Sequence, residues 1–273
     1  MPRRIGILTL VALAALLPAS RADAGEPRPI VLAHRGGAFE FEENTLEAFQ
    51  SSHERGIRGF ETDIRMTRDG VLVILHDDDL TRTHVAEGAV ETMTAEELRP
   101  TSSKGGQKFL FLDEFLDFFA DRPGCYIELE MKTSNKQRYP DDRIEEFCRK
   151  LHAAAESRRP SESTYVFSSF DERPLKAIRA IDAKAPISLI AGKPCSAEFI
   201  AKAGEVGADR IACQLKGTSR AAVEEAHKAG LLVNVWPGHA VEDYYLALGL
   251  GADVHCTDIP TKVQAAAEKL PSP

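Results

Sequence analysis

Residues 30–65 read IVLAHRGGAFEFEENTLEAFQSSHERGIRGFETDIR, and their pattern decides the fold. Ile30–His34 is a short β-rich run. From Asn44 to Arg55, Leu46, Ala48 and Phe49 fall at helical spacing, and the run stops at Gly56. Gly59–Arg65 then reads as a second strand. Strand, helix and strand in this order predict parallel strands covered by a helix.

The same rhythm continues outward. Asp69-Gly70 marks a tight turn, and Val71–His76 reads as another strand. Further strands are predicted at Cys125–Lys132, Thr164–Ser168, Ile187–Ala191, Arg210–Gln214, Leu231–Val235 and Val254–Thr257. Helical stretches near Asp141–Ser157, Glu172–Ile181, Ala197–Ala203, Arg220–Ala229, Val241–Leu248 and Lys262–Lys269 lie between or after them. Eight βα strands point to the α/β class, as a closed TIM-type (β/α)8 barrel more than an open sheet. Thr81 to Pro123 breaks the rhythm, with a capped helix at Thr94–Glu97, a loop at Lys104–Gly106 and a helix near Leu112–Ala120. It reads as a small insertion after the second strand. No linker or low-complexity tract divides the rest, so residues 25–273 are expected to form one barrel domain.

The chain has 273 residues. Arg3 and Arg4 precede an apolar run from Ile5 to Leu17, and Ala22-Asp23-Ala24 has the small-x-small pattern of a cleavage site. Residues 1–24 therefore read as a signal peptide, and the run is short for a bilayer span. That implies a secreted or periplasmic protein with no stable membrane anchor after cleavage. Net charge is −8 at pH 7. The leader holds three arginines and one aspartate, so the remainder is more negative still. Such a balance argues against nucleic acid as a partner and permits a small anionic substrate held through a metal. Cys125, Cys148, Cys195, Cys213 and Cys256 are scattered, with no CxxC pair and no zinc spacing.

In a barrel, the chemistry is carried at the C-terminal ends of the strands and the loops after them. His34 ends the first strand, Glu61 and Asp63 lie toward the end of the second, and His76 closes the run that follows. One residue separates Glu61 from Asp63, so both side chains leave the same face of the strand. Glu128, Glu130 and Lys132 alternate with Ile127, Leu129 and Met131, giving a charged inner face and an apolar outer one. Each piece alone has a plain structural reading, as a solvated face or a charge-protected edge. Their joint place at the mouth of one barrel is what carries weight, because interior charges are costly unless paired or metal-bound. Acid–base groups around a hard-cation site suit hydrolysis of a phosphate diester, which is anionic and has a poor leaving group.

These residues carry a resemblance. His34-Arg35-Gly36, Glu43-Asn44-Thr45, Glu61-Thr62-Asp63, Asp69-Gly70, His76-Asp77 and Leu80-Thr81-Arg82-Thr83 resemble the glycerophosphodiester phosphodiesterase family. Glu130-Met131-Lys132, Ser168-Ser169-Phe170, Val235-Trp236 and Thr257-Asp258-Ile259-Pro260 agree with it, in order. The resemblance implies a TIM-type barrel that hydrolyses small-molecule glycerophosphodiesters to glycerol 3-phosphate and an alcohol. It implies that His34 and His76 are the acid–base pair and that Glu61, Asp63 and Glu130 bind metal. It places Arg35 and Lys132 near the substrate phosphate. A set of three carboxylates favours Mg²⁺ or Ca²⁺ over zinc. Asp77 either orients His76 or fixes its loop, and Asn44 or Thr45 caps the first helix. Trp236 is a candidate wall for the substrate pocket, or it packs in the barrel top.

The chain departs from the family pattern in two places. Pro237-Gly238-His239 follows Trp236 where the family usually has Thr-x-Asn, and Glu42 replaces a common Pro. The same scaffold also suits a lysophospholipase D or sphingomyelinase D-like activity. A non-catalytic phosphodiester-binding protein is a third reading, against which the retention of both histidines counts.

Overall fold

A computed structural model describes residues 28–271. The signal-peptide reading of residues 1–24 lies outside them. The strands are β1 (Ile30–Ala33), β2 (Gly59–Met66), β3 (Leu72–Ile74), β4 (Tyr126–Met131), β5 (Thr164–Ser169), β6 (Ile187–Ile190), β7 (Arg210–Gln214), β8 (Leu232–Gly238) and β9 (Val254–Thr257). The helices are α1 (Leu46–Glu54), α2 (Ala95–Leu98), α3 (Leu112–Ala120), α4 (Asp141–Arg158), α5 (Glu172–Ile181), α6 (Ala197–Val206), α7 (Arg220–Lys228), α8 (Val241–Leu250) and α9 (Pro260–Ala267).

Eight parallel strands run in the order β1-β9-β8-β7-β6-β5-β4-β2, and pairing of β1 with β2 closes the barrel. The predicted (β/α)8 architecture is therefore present. The ninth run differs. It shortens to Leu72–Ile74 and pairs antiparallel with β2, Ile64 opposite Ile74. The Asp69-Gly70 turn sends the chain straight back along β2, so β3 lies outside the parallel ring. Val73, Leu75, Leu80, Val90, Leu98, Phe109 and Phe111 form a small separate core beneath the insertion.

Alternation along the strands places the main core between sheet and helices. Phe60 of β2 meets Phe49 of α1 and Phe119 of α3, with ring centroids 6.3 Å and 4.8 Å away. Phe49 and Phe115 pack edge to face at 4.7 Å. Such pairs contribute about 0.5–1.5 kcal/mol each beyond the area they bury. The helices start where their caps dictate. Thr45 accepts a hydrogen bond from Ala48 N at the start of α1, and Thr94 and Glu97 form the predicted capping box of α2. Among the described residues no helix is long and apolar enough to cross a membrane. All five cysteines are buried and free.

Candidate active site

The end of β1 turns sharply through His34–Gly36. Arg35 sits at φ 52° and Gly36 at φ 84°. A Cβ at Gly36 would lie 2.9 Å from the Cβ of Ala48, so only glycine lets α1 pack this close. The Ser52 hydroxyl, also on α1, donates to the Gly36 carbonyl at 2.7 Å. The turn thus delivers His34 and Arg35 to the barrel mouth on a fixed backbone.

Beside it, Glu61, Asp63 and Glu130 converge. Each has a carboxylate oxygen within 4.8 Å of the others, and all three residues are buried. The register explains why: Asp63 and Glu130 are paired positions of neighbouring parallel strands, and Glu61 stands two residues before Asp63 on the same face. Glu61 Oε1 and Asp63 Oδ1 are buried with no hydrogen-bond partner. The second oxygen of each of these two carboxylates is held. Arg35 N donates to Glu61 Oε2 at 3.0 Å, and Asn44 Nδ2 donates to Asp63 Oδ2 at 2.8 Å. Asn44 is the other non-glycine residue with positive φ, and its oxygen accepts from Thr62 Oγ1. Thr45 is therefore the helix cap, and Asn44 belongs to the site.

Lys132 Nζ donates to Glu130 Oε1 at 2.8 Å and lies 3.5 Å from Asp63 Oδ1. Arg35 Nε lies 3.6 Å from Asp63 Oδ2, and its Nη1 donates to Glu43 at 3.0 Å. Burial and the neighbouring charges of Asp63 and Glu130 push the Glu61 carboxyl well above its ordinary pKa. Burial also raises Asp63, but Lys132, His76, Arg35 and the Asn44 hydrogen bond outweigh it and hold that carboxyl below its ordinary value. Burial opposes charge on Lys132, and Glu130 and Asp63 overcome it, so its pKa lies above the usual lysine value. Two orphaned oxygens in a set of hard donors fit a divalent cation that prefers oxygen ligands.

The two histidines flank this cluster with matching supports. His34 Nδ1 lies 2.6 Å from Asp258 Oδ1, and its Nε2 lies 3.9 Å from Glu61 Oε2. His76 Nδ1 lies 2.7 Å from Asp77 Oδ1, so Asp77 orients this ring. Arg82 bridges Asp77 and Glu43, tying the His76 loop to the Arg35 side of the site. Burial lowers the His76 pKa, with Asp63 pulling the other way. Asp258 went unassigned in the sequence reading, although its motif was visible. It stands 224 residues from His34, and only the closing of β1 against β9 joins them.

The cluster borders a pocket lined by His34, Arg35, Glu61, His76, Glu128, Glu130, Lys132, Phe170 and Trp236 among others. Trp236 forms a wall and meets Phe170 edge-on at 5.8 Å. Phe170 is 41% exposed at the rim, and in the sequence only its place in the Ser168-Ser169-Phe170 motif signals it. Deeper in, Glu128 accepts from Tyr126 Oη at 2.9 Å and from Asn234 Nδ2 at 3.1 Å. Burial pushes its carboxyl up to about 7, against those hydrogen bonds.

Fold and site together define a (β/α)8-barrel protein with a carboxylate cluster set between two histidines. The chain matches the model of the glycerophosphoryl diester phosphodiesterase family over residues 34–262, and it belongs to that family. A glycerophosphodiester phosphodiesterase of Caldanaerobacter subterraneus is 40% identical over 84 residues, 30% of this chain and 35% of that protein. One from Bacillus altitudinis is 34% identical over 117 residues, 40% of this chain and 47% of that protein. The matches thus span less than half the length of these curated relatives. A phosphodiesterase of Oleispira antarctica, solved with the product sn-glycerol-3-phosphate, superposes with a TM-score of 0.80 at 22% identity. That likeness covers 89% of this chain and 98% of that one, and it supports the barrel fold.

Proposed function

We propose that this chain hydrolyses glycerophosphodiesters to glycerol 3-phosphate and an alcohol, outside the cytoplasm, with Mg²⁺ or Ca²⁺ at Glu61, Asp63 and Glu130. One observation carries the reading: a buried triad of carboxylates, two of its oxygens without partners, lies between two carboxylate-oriented histidines. Family membership and the glycerophosphodiester phosphodiesterases among its relatives supply the substrate class. Export rests on the leader pattern of residues 1–24.

When bound, the cation neutralises the diester and polarises a phosphoryl oxygen. The chain's own residues do the rest. A carboxylate oxygen only accepts, so His34 and His76 each carry a proton on Nδ1 and turn Nε2 to the pocket. One ring, bare at Nε2, takes a proton from the nucleophile, and the other, carrying a second proton on Nε2, gives it to the leaving alkoxide, steps that typically contribute about 10²–10⁴-fold. Arg35 lines the pocket, and its guanidinium would hold a phosphate oxygen there. Lys132 supplies a point charge beside it. Trp236 and Phe170 give the alcohol an apolar wall.

The test is a substrate panel: glycerophosphocholine, -ethanolamine, -glycerol and -inositol beside lysophosphatidylcholine, each with Mg²⁺ or Ca²⁺. Release of glycerol 3-phosphate from the water-soluble diesters is expected. Turnover of the lysolipid alone would move the assignment to a lysophospholipase D. Silence across the panel would end it.

A further inference from the structure

The carboxylate of Asp258 is shared by two histidines. Its Oδ1 lies 2.6 Å from His34 Nδ1, and its Oδ2 lies 3.0 Å from His239 Nε2. The Asp258 side chain is 5% exposed and that of His239 is 52% exposed, so the first is buried beneath the second. His239 follows Trp236-Pro237-Gly238, at the end of β8 beside the pocket wall.

The backbone around this pair is pinned. Asp258 N donates to the Gly238 carbonyl at 2.9 Å, and Thr257 Oγ1 donates to the same oxygen at 2.8 Å. Phe39 N donates to the Asp258 carbonyl at 3.0 Å, and the Phe39 ring lies over His239 with centroids 5.0 Å apart. His239 N donates to Asp243 Oδ2 at 2.8 Å. The His239 ring is therefore held from its backbone and across one face.

A carboxylate fastened at one oxygen swings about χ2, a broad torsion. Hydrogen-bonded at Oδ1 and paired with a second imidazole at Oδ2, it offers Oδ1 to His34 in one orientation. We propose that His239 is a positioning residue for His34, acting through Asp258, and so completes a His239–Asp258–His34 chain. The proposal rests on the reading of His34 as an acid–base group. Its role resembles that of a buried acid that fixes the tautomer and direction of a catalytic imidazole.

The experiment has two arms on the full chain. In ¹⁵N-histidine NMR spectra, the His34 Nδ1–H proton is identified by its absence in His34→Gln. It is expected far downfield and slow to exchange. In His239→Ala it exchanges faster or is lost, while His239→Gln, whose amide nitrogen stands where Nε2 stood, retains it. In the kinetic arm, His239→Ala lowers kcat about five- to tenfold, the worth of one polar contact. KM stays within about twofold, because substrate contacts are untouched. His239→Gln recovers most of the loss. An unchanged proton or an unchanged kcat in His239→Ala overturns the proposal, as does Gln behaving like Ala in both arms. If the wild-type chain turns over no substrate, the functional reading fails and the NMR arm still decides the positioning. Circular dichroism checks the fold of each variant, with His239→Phe, which keeps the ring against Phe39 but has no donor, as the replacement should the alanine protein fail to fold.

Discussion

Arg35 occupies a left-handed backbone conformation that costs a non-glycine residue about 1–2 kcal/mol. The surroundings hold it there: its N–H reaches Glu61 Oε2, and its carbonyl accepts from Asn44 N at 2.9 Å. Asn44 shares the conformation and steadies Asp63. Strain concentrated at two residues that both touch the carboxylate cluster is what a preorganised site shows. Asn44→Ala removes the amide that aims Asp63, so cation affinity should fall roughly 10–100-fold, the usual effect of losing a support behind a metal ligand. Calorimetric titration with Mg²⁺ and Ca²⁺ checks it, and an unchanged affinity would show that Asn44 serves the backbone alone. His34, His76, Glu61, Asp63 and Glu130 were legible in the sequence because strand periodicity and local motifs place them. Asp258 was not assigned a role, because its partner His34 is 224 residues away and no local pattern announces a contact made by barrel closure; Glu43 and Phe170 show their contacts only once Arg82 and Trp236 are brought beside them.

Among the elements, the hairpin of β2 and β3 does more than decorate the barrel. Arg65, two residues past Asp63, donates to the carbonyls of Leu75 at 3.2 Å and His76 at 2.8 Å. It also pairs with buried Glu91 at 2.8 Å, which accepts from Tyr139 Oη at 3.0 Å. A residue of β2 thereby fixes where the histidine after β3 stands. Arg65→Met strips buried Glu91 of its closest cation and leaves Arg138 at 3.5 Å, so the loss should reach at most the about 3–5 kcal/mol of a fully broken buried pair. Urea unfolding should show that loss, with a large part recovered in the Arg65→Met, Glu91→Met double variant. Additive losses would mean that the two residues act independently. The sequence showed the turn at Asp69-Gly70 and a strand after it. It did not show that this strand leaves the parallel ring, because strand length and apolar content are the same for either partner direction.

At the scale of the whole molecule, the parallel barrel sets the charged faces of β2 and β4 side by side at one mouth and the aromatic core beneath the helices. The alternation of Glu128, Glu130 and Lys132 with apolar residues made that division readable in advance. His255 was not readable in this way. It is fully buried on β9 beside Tyr244, and neither ring nitrogen has a partner. Burial lowers its pKa to about 4. Between that value and the unfolded value of about 6.5, the unfolded chain binds a proton that the native fold refuses. Stability from this group is therefore complete above about pH 6.5 and falls as pH drops toward 4, by up to about 3 kcal/mol. Urea midpoints at pH 7 and pH 4.5 should differ less in His255→Phe than in the wild type, and equal differences would contradict the assignment.

The central claim is that turnover depends on a divalent cation held by the carboxylate triad. The most direct measurement is glycerol 3-phosphate release from glycerophosphodiesters by protein stripped with EDTA, then supplied with Mg²⁺ or Ca²⁺. Release should vanish on stripping and return with the cation in the wild type, but not return in Glu130→Gln. Undiminished release in EDTA, or full activity in Glu130→Gln, would contradict it.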